Sequence, residues 1–450
     1  MEWTKLINAK RIGRLEKPED TIGGPRSPFQ RDYDRILFSS AFRRLQDKTQ
    51  VFPLAKSDYV RTRLTHSLEV SSVGRSLGVM VGDESIKRHP ELEKRGITAG
   101  DFGIIVATAC LAHDIGNPPF GHAGESAIQD WFCRSEKGQS YLGDKALSKQ
   151  TRADFEKFEG NAQGFRVLTR LQFSSQDGGM QLTCAVLGAY TKYPRASDVD
   201  KAKAGGISGK KFGFVQQDQP RFEELANELG LIRKGTLQAW HRHPLAFLVE
   251  AADDICYRIM DVEDGFRSGH LAYSEVKPLF EAVLDGSSLA RLETMTSDKQ
   301  RVEFLRAKAI GIAIEQVVAV FLDKEKELLS GEYDSELLEH IPLAAGFKAF
   351  KTLAQKKVYG VRPVIEIEAC GFRVIGGLLE SFLDAVHDAA SNGDKMSPRS
   401  QTITGLMPEG CWNHGMDYRE RLHAVTDSVS GMTDSYALTM YQRLYGISLP

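Results

Sequence analysis

The chain has 450 residues, of which 42% are hydrophobic and 26% charged, with a net charge of −2. That is enough apolar material for a large core, in one domain or two, and it excludes disorder and fibrous structure. The near-neutral balance excludes a global field drawing the molecule to nucleic acid or membrane. The start, MEWTKLINAKRIG, lacks the apolar segment of a secretion signal, and no stretch approaches eighteen uninterrupted apolar residues, which predicts a soluble cytoplasmic protein without membrane contact. Six cysteines (Cys110, Cys133, Cys184, Cys256, Cys370, Cys411) are scattered without a CxxC pair and read as reduced packing residues.

In chain order, residues 31–47 (RDYDRILFSSAFRRLQD) place Tyr33, Ile36, Leu37, Phe42 and Leu45 near helical spacing, after which Lys48-Thr-Gln-Val-Phe-Pro53 predicts an extended loop. Between Arg26 and Arg63 nine basic residues face four acidic ones, a local excess of +5. Such a run is ordinarily a solvated helix face, but this one leads directly to His66, which favours an anion-binding wall. A second helix is expected from Arg63 to Leu77 with His66 in its first turn. A third, 101–114, is apolar nearly all round, with Asp101 as its expected N-cap and His113-Asp114 at its carboxyl end.

Gly116 and Asn117-Pro118-Pro119 stop that helix. The next helix begins near Gly121 to Ala123 and carries His122 and Glu125, three residues apart and therefore on one side. Downstream, His243-Pro244 starts a helix that runs to Gly265. On it Asp253, Tyr257 and Asp261 form one stripe over roughly 12 Å. An acid, a phenol and an acid on an apolar helix are costly to bury without partners, and a metal, a sugar hydroxyl or a phosphate would supply them. His241-Arg-His243 lies about 15 Å from Asp253 along the helix and reads as structural, or as support behind the ligands.

The chemistry-bearing residues are thus His66, His113, Asp114 and the pair Asp253-Asp254. A lone buried histidine is ordinarily a packing residue. A His-Asp pair ending an apolar helix is harder to explain by packing, because the aspartate sits at the unfavourable end of the helix dipole. Two imidazoles with carboxylates suit a hard or borderline divalent cation, Mn²⁺, Mg²⁺ or Fe²⁺, which keeps positions open for water and phosphate oxygens. Metal-assisted hydrolysis of a phosphate ester follows as the expected reaction class.

Six strings, RDYDRILFSSAFRRLQDKTQVFPL, TRLTHSLEV, LAHDIGNPPFGHAGE, FEGNAQGFRVL, HPLAFLVEAADDICYRIMDVEDG and SGMTDSYAL, give the chain a close resemblance to the HD-domain deoxynucleoside triphosphate triphosphohydrolases, in particular the bacterial dGTPase-like branch. The resemblance covers most of 26–270 and returns near 417–438. It implies an all-α HD-domain fold with additional C-terminal helices, and hydrolysis of a dNTP, dGTP among them, to 2′-deoxynucleoside and triphosphate. It further implies His66, His113, Asp114 and Asp253 as metal ligands, with Asp254 a neighbour, and His122 and Glu125 as the catalytic pair. Gln50 and Arg63 would meet the sugar and α-phosphate. Asn161, Lys192, Lys211, Tyr257 and Asp261 would line the triphosphate and deoxyribose, with Tyr257 against Gln50 and Asp261 excluding a 2′-hydroxyl. His122 would take a proton from water or give one to the 5′ oxygen, and the residues leave both roles open.

Residues 271–450 show helical stretches (LAYSEVKPLFEAVL, RVEFLRAKAIGIAIEQVVAVFLD, VIGGLLESFLDAVHDAA) without a comparable cluster, so packing and subunit contacts are expected there, continuous with a core in 1–270. The resemblance implies a homohexamer, regulation by a nucleotide or single-stranded DNA, and a tail from Asp417-Tyr418-Arg419 through Tyr436 reaching a neighbouring active site. The competing readings are a nucleotide-sensing or single-stranded nucleic-acid-binding oligomer, and an HD-type phosphodiesterase or nuclease.

Overall fold

The computed structural model describes residues 1–16, 20–22, 26–50 and 61–447. The fold is all-α, 68% helical. Among the described residues no sheet forms, and strand pairing is limited to isolated bridges such as Thr49 with Thr62. No described helix is long and apolar enough to cross a membrane. The expected loop beyond Gln50 lies outside the described residues, as do Lys56 and Asp58 of the basic run.

Two antiparallel elements set the frame. The Arg63–Arg88 helix is longer than the sequence spacing indicates, because Thr62 and Thr65 form a reciprocal capping box at its start and nothing breaks it until His89-Pro90. It packs along the Ala99–Ala112 helix. Thr98, not Asp101, is the N-cap of that second helix; Asp101 stands three residues in, and its Oδ2 accepts from the Thr98 amide at 2.9 Å. The expected cap was therefore one half of the box. The two helices approach closely because Gly74, Gly78 and Gly82 face the partner. A Cβ at these positions would meet Cys110 Sγ at 2.5 Å, the Phe102 carbonyl oxygen at 2.7 Å and Phe102 Cβ at 2.8 Å.

The single helix expected over 31–47 is two helices and a short 3-10 turn, Pro28–Leu37, Ser40–Arg44 and Leu45–Asp47. Ser39 breaks it by capping the Phe42 amide, and its hydroxyl also donates to the Ile36 carbonyl. The Pro244–Arg267 helix begins as expected, with Pro244 in the first turn and His243 Nδ1 accepting from the Leu245 amide. Cys110, Cys184 and Cys256 are buried, whereas Cys133 is exposed, with its thiol 3.5 Å from the Glu156 carbonyl oxygen.

Apolar burial gathers into two main clusters. The larger joins residues 3–115 with 165–358. The second packs Phe120, Trp131 and Phe155 against the Arg362–Asn392 helix and the Tyr418–Ser430 and Asp434–Leu444 helices. Both draw on residues from either side of position 270. His113-Asp114 closes the first cluster and the Gly121–Arg134 helix opens the second, so the Pro-rich elbow between them crosses the seam.

Gly78→Ala tests the close approach. The new methyl would stand 2.7 Å from the Phe102 carbonyl oxygen and 2.8 Å from Gly103 Cα, backbone atoms that cannot rotate away. Overpacking should cost about 1–3 kcal/mol, outweighing the gain in helix propensity, and lower the urea midpoint without changing the slope. An unchanged or raised midpoint would show that the helices are not locked at this distance.

Candidate active site and metal centre

His66 and the His113-Asp114 pair come from facing ends of the two glycine-locked helices, and the Pro244–Arg267 helix brings Asp253 across them. His66, His113 and Asp114 each offer a ligand atom, all within 4.8 Å of one another. Asp253 Oδ1 lies 3.2 Å from His66 Nε2 and 3.4 Å from His113 Nε2. The backbone prepares these donors. His113 Nδ1 is 2.6 Å from the Cys110 carbonyl oxygen; a carbonyl can only accept, so Nδ1 carries the hydrogen and the Nε2 lone pair points at the cluster. Asn117, expected only as part of a stop signal, donates from Nδ2 to Asp114 Oδ1 at 2.5 Å.

Burial would raise the Asp114 carboxyl, but Arg63, His113 and His66 override it and hold the group well below the usual carboxylate range. Asp253 behaves likewise, with burial opposed by Lys192 and His113, and its Oδ2 accepts from Lys192 Nζ at 2.7 Å. Both carboxylates therefore present as anions, as a cation site requires. Asp254 accepts from Arg258 at 2.9 Å and is pushed by burial up to about 7, consistent with a place beside the ligand group.

A cleft of about 500 Å³ opens from this cluster. It is bordered by Gln50, Arg63, His66, His113, Asp114, His122, Asn161, Lys192, Lys211, Asp253 and Tyr257, eleven of the thirteen ligand, catalytic and substrate-contact residues that the resemblance implies, and by Asp254. Arg63 donates to Asp114 Oδ2 at 2.8 Å, yet its Nε is buried without a partner, as is Gln50 Oε1. Orphaned buried polar atoms at a cleft wall are what a bound polar molecule would satisfy.

Glu125 stands behind the cleft. One oxygen accepts from the Gly160 amide at 2.8 Å and the other lies 2.8 Å from Nδ1 of the exposed His122. Burial would raise its carboxyl, but the His122 hydrogen bond and the Lys211 charge lower it. An ionised Glu125 only accepts, so His122 Nδ1 carries the hydrogen and Nε2 is left free. A Cβ at Gly160 would lie 2.5 Å from Asn117 Oδ1 and 2.7 Å from Glu125 Oε1, so a side chain there would displace these two groups. Lys211 and Asn161 converge on Glu159 Oε1 at 2.9 and 2.8 Å. His243 caps its helix with Nε2 3.1 Å from the Leu6 carbonyl oxygen, and Arg242 is buried in a pair with Glu250, so the His-Arg-His string is structural.

Asp261 does not reach the cleft surface. Tyr359 covers it, donating its hydroxyl to Asp261 Oδ2 while its ring lies 5.7 Å from that of Tyr257. Tyr359, Lys351, Val364, Ile367 and Glu368 all border the cleft from the C-terminal half, where packing alone was expected. No local motif marks them; they arrive by tertiary packing of the Ala344–Lys357 and Arg362–Asn392 helices. The tail likewise packs on its own chain: Asp434 accepts from the Thr49 and Phe120 amides, while Tyr436 is exposed.

The HD domain model matches residues 63–172 and a phosphohydrolase-associated domain matches 341–443. Relatives align along the whole length. A deoxyguanosinetriphosphate triphosphohydrolase-like protein of Synechocystis is 44% identical, covering 100% of both chains, and one of Pseudomonas aeruginosa is 40% identical over the same share. A deoxyguanosinetriphosphate triphosphohydrolase of Klebsiella pneumoniae is 32% identical over 99% of each.

Burial pushes Asp261 up to about 8, against the opposing Tyr359 hydrogen bond. Between the ordinary carboxylate range and pH 8 the folded state therefore holds a proton that the unfolded chain releases, and this group lowers stability as pH rises, by at most about 1.4 kcal/mol per unit. Asp261→Asn keeps an acceptor for Tyr359 and removes the titration. The difference in Tm, variant minus wild type, should grow from pH 5 to pH 8 and then level. A difference independent of pH would contradict the buried, protonated carboxyl.

Proposed function

Because the chain belongs to the HD-domain deoxynucleoside triphosphate triphosphohydrolases, on the dGTPase-like branch, we propose that it hydrolyses dNTPs, dGTP among them, to 2′-deoxynucleoside and inorganic triphosphate with a divalent cation, Mn²⁺, Mg²⁺ or Fe²⁺. The observation that carries this reading is the opening of the His66, His113, Asp114 and Asp253 donors into the same cleft as the unsatisfied Arg63 and Gln50 atoms. Two imidazoles and two anionic carboxylates fit such a cation, which when bound would polarise an α-phosphate oxygen or acidify a water.

The remaining work falls to side chains. Water adds to the α-phosphorus and the bond from phosphorus to the 5′ oxygen breaks, so that oxygen leaves with a proton. His122 Nε2, its ring oriented by Glu125, moves a proton at one end of that displacement. Arg63 offers its free Nε edge to an α-phosphate oxygen, and Lys192 and Lys211 place positive charge along the triphosphate. Tyr359 beside Tyr257, with Asp261 held behind, forms a wall where a 2′-hydroxyl would crowd; exclusion of ribonucleotides is the consequence we assign to it.

With Mn²⁺ or Mg²⁺, a panel of four dNTPs given singly and in pairs should yield deoxynucleoside and triphosphate. His113→Ala or Asp114→Ala should abolish turnover. His122→Ala should lower kcat by about 10²–10⁴ while leaving metal affinity intact. Appearance of dNMP with pyrophosphate would instead assign cleavage to another phosphorus.

A further inference from the structure

We infer that Asp434 is a positioning residue of this site, holding both the Gln50 wall and the turn that presents His122. The inference rests on the hydrolase reading of the cleft. Asp434 lies 320 residues after Asp114 and borders no part of the cleft, and it is 1% exposed at the start of the Asp434–Leu444 helix. Among the described residues, its side-chain hydrogen bonds are directed at the site. Oδ2 accepts from the Thr49 amide at 3.0 Å and the Thr49 hydroxyl at 2.5 Å, and Oδ1 accepts from the Phe120 amide at 2.9 Å.

Each of those two anchors precedes a cleft residue. Thr49 is followed by Gln50, whose Oε1 is buried without a partner. Phe120 adopts φ 63, the left-handed region that a bulky side chain disfavours, and serves as N-cap of the Gly121–Arg134 helix without offering a side-chain cap. Gly121 follows at φ 58, packed against the Arg63 guanidinium, and then comes His122. A backbone kept in an unfavourable conformation needs outside fixation; the Asp434 carboxylate provides it at the amide, while Gly371 leaves room for the Phe120 ring.

A second tie runs parallel to the first. The buried Lys48 ammonium donates to the Asn117 carbonyl and, at 3.1 Å, to the Ser430 carbonyl. Asn117 is the residue that orients Asp114. The segment 430–434 thus grips 48–49 and 117–120 together, and Asp434 is its only carboxylate. This is the part Asp434 gives to the SGMTDSYAL string, although Asp434 itself does not border the cleft.

The test compares Asp434→Asn and Thr49→Val with wild type, alone and combined with His122→Ala. A carboxamide cannot accept from two amides and a hydroxyl without turning its NH₂ toward a donor, so Asp434→Asn should lower kcat by about 10²-fold through displacement of the turn, with a smaller rise in KM through the Gln50 wall and Mn²⁺ affinity changed far less. Thr49→Val, which removes only the hydroxyl bond, should act in the same direction more weakly, and it carries the test should Asp434→Asn not fold. In the His122→Ala background the further loss from either change should shrink to about 2-fold or less, the scatter expected of independent sites. Amide exchange at Phe120–His122 should quicken in Asp434→Asn without added substrate. Unchanged kcat per folded molecule, or losses that multiply fully in both backgrounds, would overturn the positioning role. A wild-type protein inactive on every dNTP would sink the hydrolase reading alone, because the exchange measurement still decides whether Asp434 holds the turn.

Discussion

The site depends on how closely the Arg63–Arg88 helix lies against the Ala99–Ala112 helix. Glycines at 74, 78 and 82 remove the side chains that would separate them. His66 leaves one helix near its start and His113-Asp114 leaves the other at its end, so the helix spacing becomes the spacing of the donors. A packed interior does not deform continuously, and ligand geometry is thereby set by apolar packing rather than by the ligands themselves. The same device recurs where Gly116 meets Gly160 and Gly164: a Cβ on Gly116 would lie 2.1 Å from backbone atoms of both. That contact holds the Asn117 segment at the cleft wall and Gly160, whose amide bonds Glu125, behind it.

Buried charge is the second constraint. Arg63 and Lys192 hold Asp114 and Asp253 below the ordinary carboxylate range against burial, and the His122 hydrogen bond followed by the Lys211 charge does the same for Glu125. These cations neutralise the carboxylates in the protein as it stands, and they are also the groups best placed to face a polyanion. The arrangement is costly in isolation. It is rational at a site where a cation and a phosphate chain change partners with the protein.

Much of the site was legible from local rules. The apolar run into His113-Asp114, the Gly-Asn-Pro-Pro stop, the His122–Glu125 spacing and the His243-Pro244 helix start are each a short-range pattern with a short-range cause, and the helices form accordingly. Where local reading erred, a competing hydrogen bond decided: Thr98 rather than Asp101 took the cap position, and Ser39 broke a helix whose spacing looked continuous. Asp261 carried the right spacing for the cleft, but Tyr359 arrived from nearly a hundred residues away and covered it.

The sequence by itself therefore determined the fold class, the donor types and the helices bearing them, because periodicity, caps and breakers act within a few residues. Tertiary structure alone decided which distant residues complete the cleft. Lys351 and Tyr359 reach it because the Ala344–Lys357 helix buries Phe347, Phe350 and Ala354 in the larger cluster it shares with the Pro244–Arg267 helix, while Glu368 reaches it, and Asp434 braces it, because the Arg362–Asn392 and C-terminal helices bury their apolar faces against the Gly121–Arg134 helix. That burial is non-directional, and nothing in the spacing of these four residues records where it brings them.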